Sequence, residues 1–252
     1  MESITEVKNM RIDVLGVGFD NLTMTEAVSR GAALLEEPGC HYVVTPNPEI
    51  VEVCRENPAA MRAVNGADLV LPDGIGIIYA AKILGEALPD RVPGIEFAEE
   101  LCAAMAKENM RLYLLGAKPG IAEKAGANLC AKYPGLVLAG THDGYFQDPQ
   151  QVVDAINAAG GADAVFVCLG APKQEKFIAA NLDDIHGTLF CGLGGSLDVF
   201  AGVSKRAPDI FIKLGLEWFY RLLKQPSRIG RMMKLPKFLL VVIRERLFGK
   251  KG

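Results

Sequence analysis

The feature that most constrains this chain is a regular exchange of two periodicities. Short apolar runs, "RIDVLGVGF", "HYVVTPN", "ADLVLP", "RLYLLGA", "LVLAGTH", "DAVFVCLG" and "TLFCGLGG", alternate with segments of helical spacing such as "TMTEAVSRGAALLEE" and "GIEFAEELCAAMAKE". Strands separated by helix-length crossovers have parallel neighbours, and a parallel sheet needs helices on both faces. At 252 residues, half of them hydrophobic and 23% charged, the chain is long enough to bury a sizeable core. The expected fold is α/β, a mostly parallel, Rossmann-like sheet over residues 1–200. A basic, helical carboxyl-terminal appendage follows over 201–252.

Ligands of such sheets bind beyond the carboxyl ends of the strands. Here those ends read "TPNPE" (45–49), "LPDG" (71–74), "LGAKPG" (115–120), "GTHDGYF" (140–146), "LGAPKQE" (169–175) and "GLGGSLD" (192–198). Glycine lets backbone approach a ligand closely, and a helix amino terminus offers N–H donors and partial positive charge to an anion. Gly116, Gly170, Gly194 and Gly195 are therefore candidates for a nucleotide diphosphate cradle, with Tyr145 and Asp198 as further nucleotide contacts. The same glycines also suit tight strand-to-helix turns that hold nothing. Asp73, in "LVLPDGIGIIYA", has two readings of its own, a helix cap or a carboxylate aimed at a substrate.

Several chemistries are excluded by pattern. Gly16 and Gly18 match the start of a dinucleotide fingerprint, but Asn21 stands where its third glycine belongs, and "HYVVTPN" does not end in the acid that would hold a ribose. No D-x-D pair is present to hold a divalent ion against a diphosphate, and neither G-x-x-x-x-G-K-[ST] nor G-x-S-x-G occurs. The six cysteines are widely spaced without a C-x-x-C and read as reduced core residues of a cytosolic protein. His41, His142 and His186 have no ligand spacing, so neither a metal nor a cofactor is expected. The start, "MESITEVKNM", is not a signal peptide, and no apolar run approaches the ~18 residues that span a bilayer.

Charge is unevenly divided. Residues 201–252 carry thirteen basic against three acidic residues, +10, so the overall −3 leaves −13 for residues 1–200. A basic tail on an acidic body suits an anionic partner, whether lipid or a phosphorylated ligand. Nucleic acid is disfavoured by the acidic body and the lack of a recognised binding motif. "DIFIKLGLEWFYRLLKQ" and "KLPKFLLVVIRERLFGKK" mix apolar and basic residues as interfacial segments do. Oligomeric state is not fixed by these patterns, and a homo-oligomer is compatible with them.

In order along the chain, "VVTPNPEIV", "DLVLPDGIGI", "RVPGIEF", "LLGAKPG", "LGAPKQE", "GLGGSLDVFAG", "KRAP" and "GLEWFYRLLKQPSRIGRM" resemble the WecG/TagA/CpsF family of bacterial glycosyltransferases, from about residue 11 to the carboxyl terminus. The resemblance, strongest to TagA-type members, implies inverting, metal-independent transfer of an N-acetylmannosamine-type sugar. The donor is a UDP-sugar and the acceptor N-acetylglucosamine on undecaprenyl diphosphate, in synthesis of the wall teichoic acid linkage unit or a related surface polysaccharide. By residue, it implies Asp73 as catalytic base, with Thr45, Asn47, Arg91 and Gln174 as neighbouring substrate-pocket residues. Arg221, Arg228 and Arg231 correspond to appendage arginines that close over the site and contact a diphosphate. A membrane-borne acceptor implies peripheral association with the cytoplasmic face of the plasma membrane, through the tail.

Overall fold

The computed structural model describes residues 11–208, 210–211, 216–224 and 234–249, apart from the side chains of Trp218, Arg221, Lys224 and Lys234. A two-stranded hairpin, β1 (Ile12–Val14) and β2 (Val17–Phe19), leads into α1 (Met24–Leu34). Next come β3 (His41–Val44), α2 (Pro48–Glu56), α3 (Pro58–Asn65), β4 (Leu69–Val70), α4 (Ile75–Leu84), α5 (Gly94–Lys107), β5 (Arg111–Gly116), α6 (Ile121–Lys132) and β6 (Val137–His142). The series continues with α7 (Pro149–Ala158), β7 (Ala162–Cys168), α8 (Lys173–Asn181), β8 (Gly187–Gly192) and α9 (Ser196–Phe200), then α10 (Glu217–Lys224) and α11 (Lys234–Phe248).

Strands β3 to β8 form one six-stranded sheet in the order β4-β3-β8-β7-β5-β6, and every neighbouring pair is parallel. Alternate strand residues face opposite ways, as the pleat requires. Val44, Val70, Leu115, Val167 and Phe190 pack toward α2, α3, α7 and α8, whereas Val43, Leu69, Leu114, Phe166 and Cys191 pack toward α1, α5, α6 and α9. The apolar runs are therefore unbroken because both faces are core.

The helices that follow β5 and β7, α6 and α8, lie on opposite faces although these strands are neighbours. That reversal opens a crevice beyond Gly116 and Cys168, the place where open α/β sheets bind ligands. The run "RIDVLGVGF" folds as two strands, not one. Leu15 and Gly16 both have positive φ, 56° and 91°, which is the requirement of a tight hairpin turn. Gly16 thus serves the hairpin and lies away from the crevice. The hairpin also covers the β4 edge, since Asp20 donates its N–H to Val70 O at 3.0 Å and accepts the Val70 N–H at 2.7 Å.

At the other end of the chain, α11 lies on α2 and α4. Phe238 and Val242 are fully buried there, and the Arg246 guanidinium donates to Leu84 O at 2.8 Å. Gly76 makes the close approach feasible, because a Cβ at that position would stand 2.7 Å from Pro48 and 2.8 Å from Leu235. Among the described residues no helix is long and apolar enough to cross a membrane.

Candidate active site

A cavity of about 1100 Å³ opens over the carboxyl ends of the sheet, and loops following each of β3 to β8 contribute to its wall. Thr45 and Asn47 come from the β3 end, Asp73 from β4, Ala117 from β5, Tyr145 from β6, Gly170 and Gln174 from β7, and Gly194, Gly195 and Asp198 from β8. Glu217 and Tyr220 of α10 close one side. Of the anticipated residues that are described, Arg91 and Gly116 do not line the space. A Cβ at Gly116 would meet the Cys168 carbonyl oxygen at 2.3 Å, so this glycine lets β5 and β7 converge beneath the cavity.

Three polar side chains are engaged in building the wall. Thr45 Oγ1 donates to Gly192 O at 3.0 Å and joins strand ends 147 residues apart. Asn47 is the N-cap of α2, its Oδ1 accepting the Ile50 N–H at 3.1 Å. Gln174, 2% exposed, accepts the Gly194 N–H on Oε1 at 3.0 Å and donates from Nε2 to Glu175 Oε1 at 2.9 Å.

Asp73 stands differently. The cap position of α4 is Gly74, with φ 102°, and Asp73 lies one residue before it, half-buried on the cavity wall beside Asn47. Its backbone N–H donates to Pro46 O at 3.1 Å, which ties the β4 end to the β3 end. Arg91 precedes Val92, whose N–H donates to Pro72 O, and its guanidinium lies 3.6 Å from the Glu217 carboxylate. The appendage thus meets the sheet edge through an ion pair at the cavity.

The glycine loops leave room. At Gly170, Gly194 and Gly195 an added Cβ would find nothing within 4 Å, so bare backbone faces open space. Tyr145 overhangs the mouth and is largely exposed. Its loop is fastened by Lys173, whose Nζ donates to Gly144 O at 3.1 Å and sits 4.4 Å from the Phe146 ring centroid. Cys168 also reaches the wall, but burial pushes its thiol up to about 12, against the opposing effect of the Ser196 and Leu197 N–H groups. It is therefore a protonated core thiol and not a nucleophile.

Four acids of the wall, Glu49, Asp73, Asp198 and Glu217, outnumber its two lysines, Lys173 and Lys205. Glu49, Lys173, Lys205 and Glu217 were not anticipated from the sequence. Lys173 could have been, since it adjoins Gln174 at the same strand end. Glu217 could not, because nothing local announces that its helix folds back over the sheet. Arg228 and Arg231, and the Arg221 side chain, lie outside the described residues. Among the described residues, no group of three or more His, Cys, Asp or Glu is placed to hold a metal ion.

The profile of the glycosyl transferase WecG/TagA/CpsF family matches residues 12–252. The chain belongs to this family. It is accordingly a glycosyltransferase. It is 36% identical over 245 residues to the N-acetylglucosaminyldiphosphoundecaprenol N-acetyl-beta-D-mannosaminyltransferase of Staphylococcus aureus strain MW2, covering 96% of each chain. It is 39% identical over 210 residues to the enzyme of the same name from Bacillus spizizenii, covering 83% of this chain and 81% of that one. The WecG/TagA/CpsF match includes every strand of the sheet and both carboxyl-terminal helices.

Proposed function

We propose that this chain transfers an N-acetylmannosamine-type sugar from a UDP donor to N-acetylglucosamine carried on undecaprenyl diphosphate, with inversion and without a metal. The observation that carries this reading is the placement of Asp73 across one cavity from the open glycine turns at Gly170 and Gly194–Gly195. A carboxylate at one wall and bare backbone at another suit a single displacement. The acceptor hydroxyl attacks the anomeric carbon opposite the diphosphate, and Asp73 takes its proton as the bond forms. The names of the relatives supply the sugar and the acceptor class.

The leaving diphosphate needs positive charge, and the described wall has more acids than lysines. Arginines bond phosphate oxygens bidentately, so Arg221, Arg228 and Arg231 of the appendage, together with Arg91, are suited to supply it. The absence of D-x-D from the sequence supports departure without a metal. On α11, Leu240, Leu247 and Phe248 are exposed beside Lys237, Arg244 and Arg246, a surface suited to an anionic cytoplasmic leaflet that would bring the enzyme to its lipid-linked acceptor.

The test is turnover of a panel of UDP-sugars with a short-chain lipid diphosphate N-acetylglucosamine acceptor, in wild type and Asp73→Ala. Loss of a general base lowers kcat by about 10²- to 10⁴-fold, with UDP affinity essentially retained. An Asp73→Ala enzyme that keeps its turnover removes Asp73 from the mechanism. Turnover with a different UDP-sugar alone reassigns the donor.

A further inference from the structure

Gln174 cannot be understood without its neighbour. Its amide spans from the first turn of α8 to the turn after β8, and the two ends of an amide are chemically distinct, one accepting and one donating. Which end faces which partner decides whether the Gly194 N–H is held. Glu175 settles the matter, since its Oε1 accepts from Gln174 Nε2 and so turns the amide oxygen toward Gly194. Gly192 makes room for this amide, because a Cβ there would stand 3.1 Å from Gln174 Nε2.

Glu175 is an unusual residue for this position. It is 1% exposed, and its second oxygen, Oε2, is buried without a hydrogen-bond partner. Its neighbours on the same face of the sheet are core residues, including Phe177 and Ile178 of α8 and Cys54 of α2. Burial pushes its pKa up, against smaller opposing effects of its own backbone N–H and Gln174. A buried carboxyl with an unmet oxygen is costlier than an apolar side chain of like size. Breaches of this kind concentrate where a site needs them.

We propose that Glu175 is a positioning residue, which holds the Gly194–Gly195 turn open for the donor's diphosphate by fixing the orientation of the Gln174 amide. Gly194 has φ 58°, and neither it nor Gly195 has any atom within 4 Å of where a Cβ would lie, so the turn presents backbone to the cavity. Glu175 touches no substrate and acts through Gln174. What the turn binds rests on the transferase reading above, whereas the Glu175–Gln174–Gly194 relay does not.

The experiment pairs hydrogen exchange at the Gly194 amide with donor kinetics in four proteins: wild type, Glu175→Leu, Gln174→Leu, and the exchanged pair Gln174→Glu with Glu175→Gln. Glu175→Leu is expected to speed exchange at Gly194 and raise the donor KM by about tenfold, the scale of one lost hydrogen bond, without lowering the melting temperature. Gln174→Leu removes the acceptor of the Gly194 N–H outright and has the same effect on Gly194 exchange. The exchanged pair restores an acceptor toward Gly194 and a donor between the two side chains, so Gly194 protection returns. A purely structural role moves the melting temperature and gives no recovery in the exchanged pair. Unchanged Gly194 exchange in Gln174→Leu overturns the proposal, even where Glu175→Leu fails to fold. Intact exchange effects in a protein without UDP-sugar turnover leave the relay standing and refute the transferase reading instead.

Discussion

The two carboxyl-terminal helices, both in the basic tail, are attached to the body in different ways. Helix α11 buries Phe238 and Val242 completely against α2 and α4, and leans on the helix that begins just after Asp73. Helix α10 has Phe219 and Leu223 exposed and meets the body at the Arg91–Glu217 ion pair, with Tyr220 on the cavity wall. Apolar burial is worth far more than a single ion pair near the surface. The tail is thus two devices: α11 is part of the core, and α10, none of whose described side chains is fully buried, is a wall of the site. Cutting the chain at residue 200 removes both together, so point substitutions are the way to separate them.

The largest effect is expected at the α11 anchor. Phe238→Ala removes a fully buried aromatic ring and should cost about 3–5 kcal/mol of unfolding free energy, measured as a lowered denaturant midpoint. Leu223→Ser on the exposed face of α10 should stay within about 0.5 kcal/mol of wild type. Equal costs at the two positions would abolish the distinction.

Proton concentration tests the body on which α11 rests. Burial raises the pKa of both Glu175 and Asp20, in Asp20 against opposing effects of the Val70 N–H and Arg11. The folded state therefore keeps protons that the unfolded chain releases from about pH 4 upward. Stability from these two acids is accordingly lost as pH rises from there through their folded pKa values. Glu175→Gln removes its share of that slope, so its stability relative to wild type should climb with pH across the window. A difference in unfolding free energy that stays flat from pH 4 to 7 would mean that Glu175 is not desolvated in solution.

Much of this organisation was legible in the sequence, for identifiable reasons. Strands of a doubly covered sheet are apolar throughout, so β5, β7 and β8 announce themselves, and the rule of carboxyl ends then places Asp73, Gln174 and the glycine turns in one crevice. The first apolar run misled because a turn can hide inside it: Leu15 is a poor turn residue by type, yet it takes positive φ beside Gly16. Gly116 was legible as a required glycine but not for its reason, which is contact with a strand nearly fifty residues later in the chain. Thr45 and Gln174 showed their types without showing that their hydrogen bonds are to the protein itself. Glu217 and Glu175 depend on distant chain segments and on burial, neither of which local pattern encodes.

The sharpest probe of α10, with a small expected change in stability, is at Glu217. Its carboxylate and the Arg91 guanidinium are 3.6 Å apart and partly reached by solvent, so the pair is worth about 1 kcal/mol or less. Glu217→Lys replaces attraction with repulsion at the Arg91 contact between α10 and the sheet edge, without touching the core beneath α11. The backbone amides of α10 report on its docking directly. Hydrogen exchange at these amides should quicken in Glu217→Lys while the unfolding free energy moves by no more than about 1 kcal/mol. High salt should narrow the gap between variant and wild type, because screening weakens both the native attraction and the introduced repulsion. Unchanged exchange together with a large loss of stability would show that α10 is bound as firmly as α11, and that the ion pair follows from its docking instead of holding it.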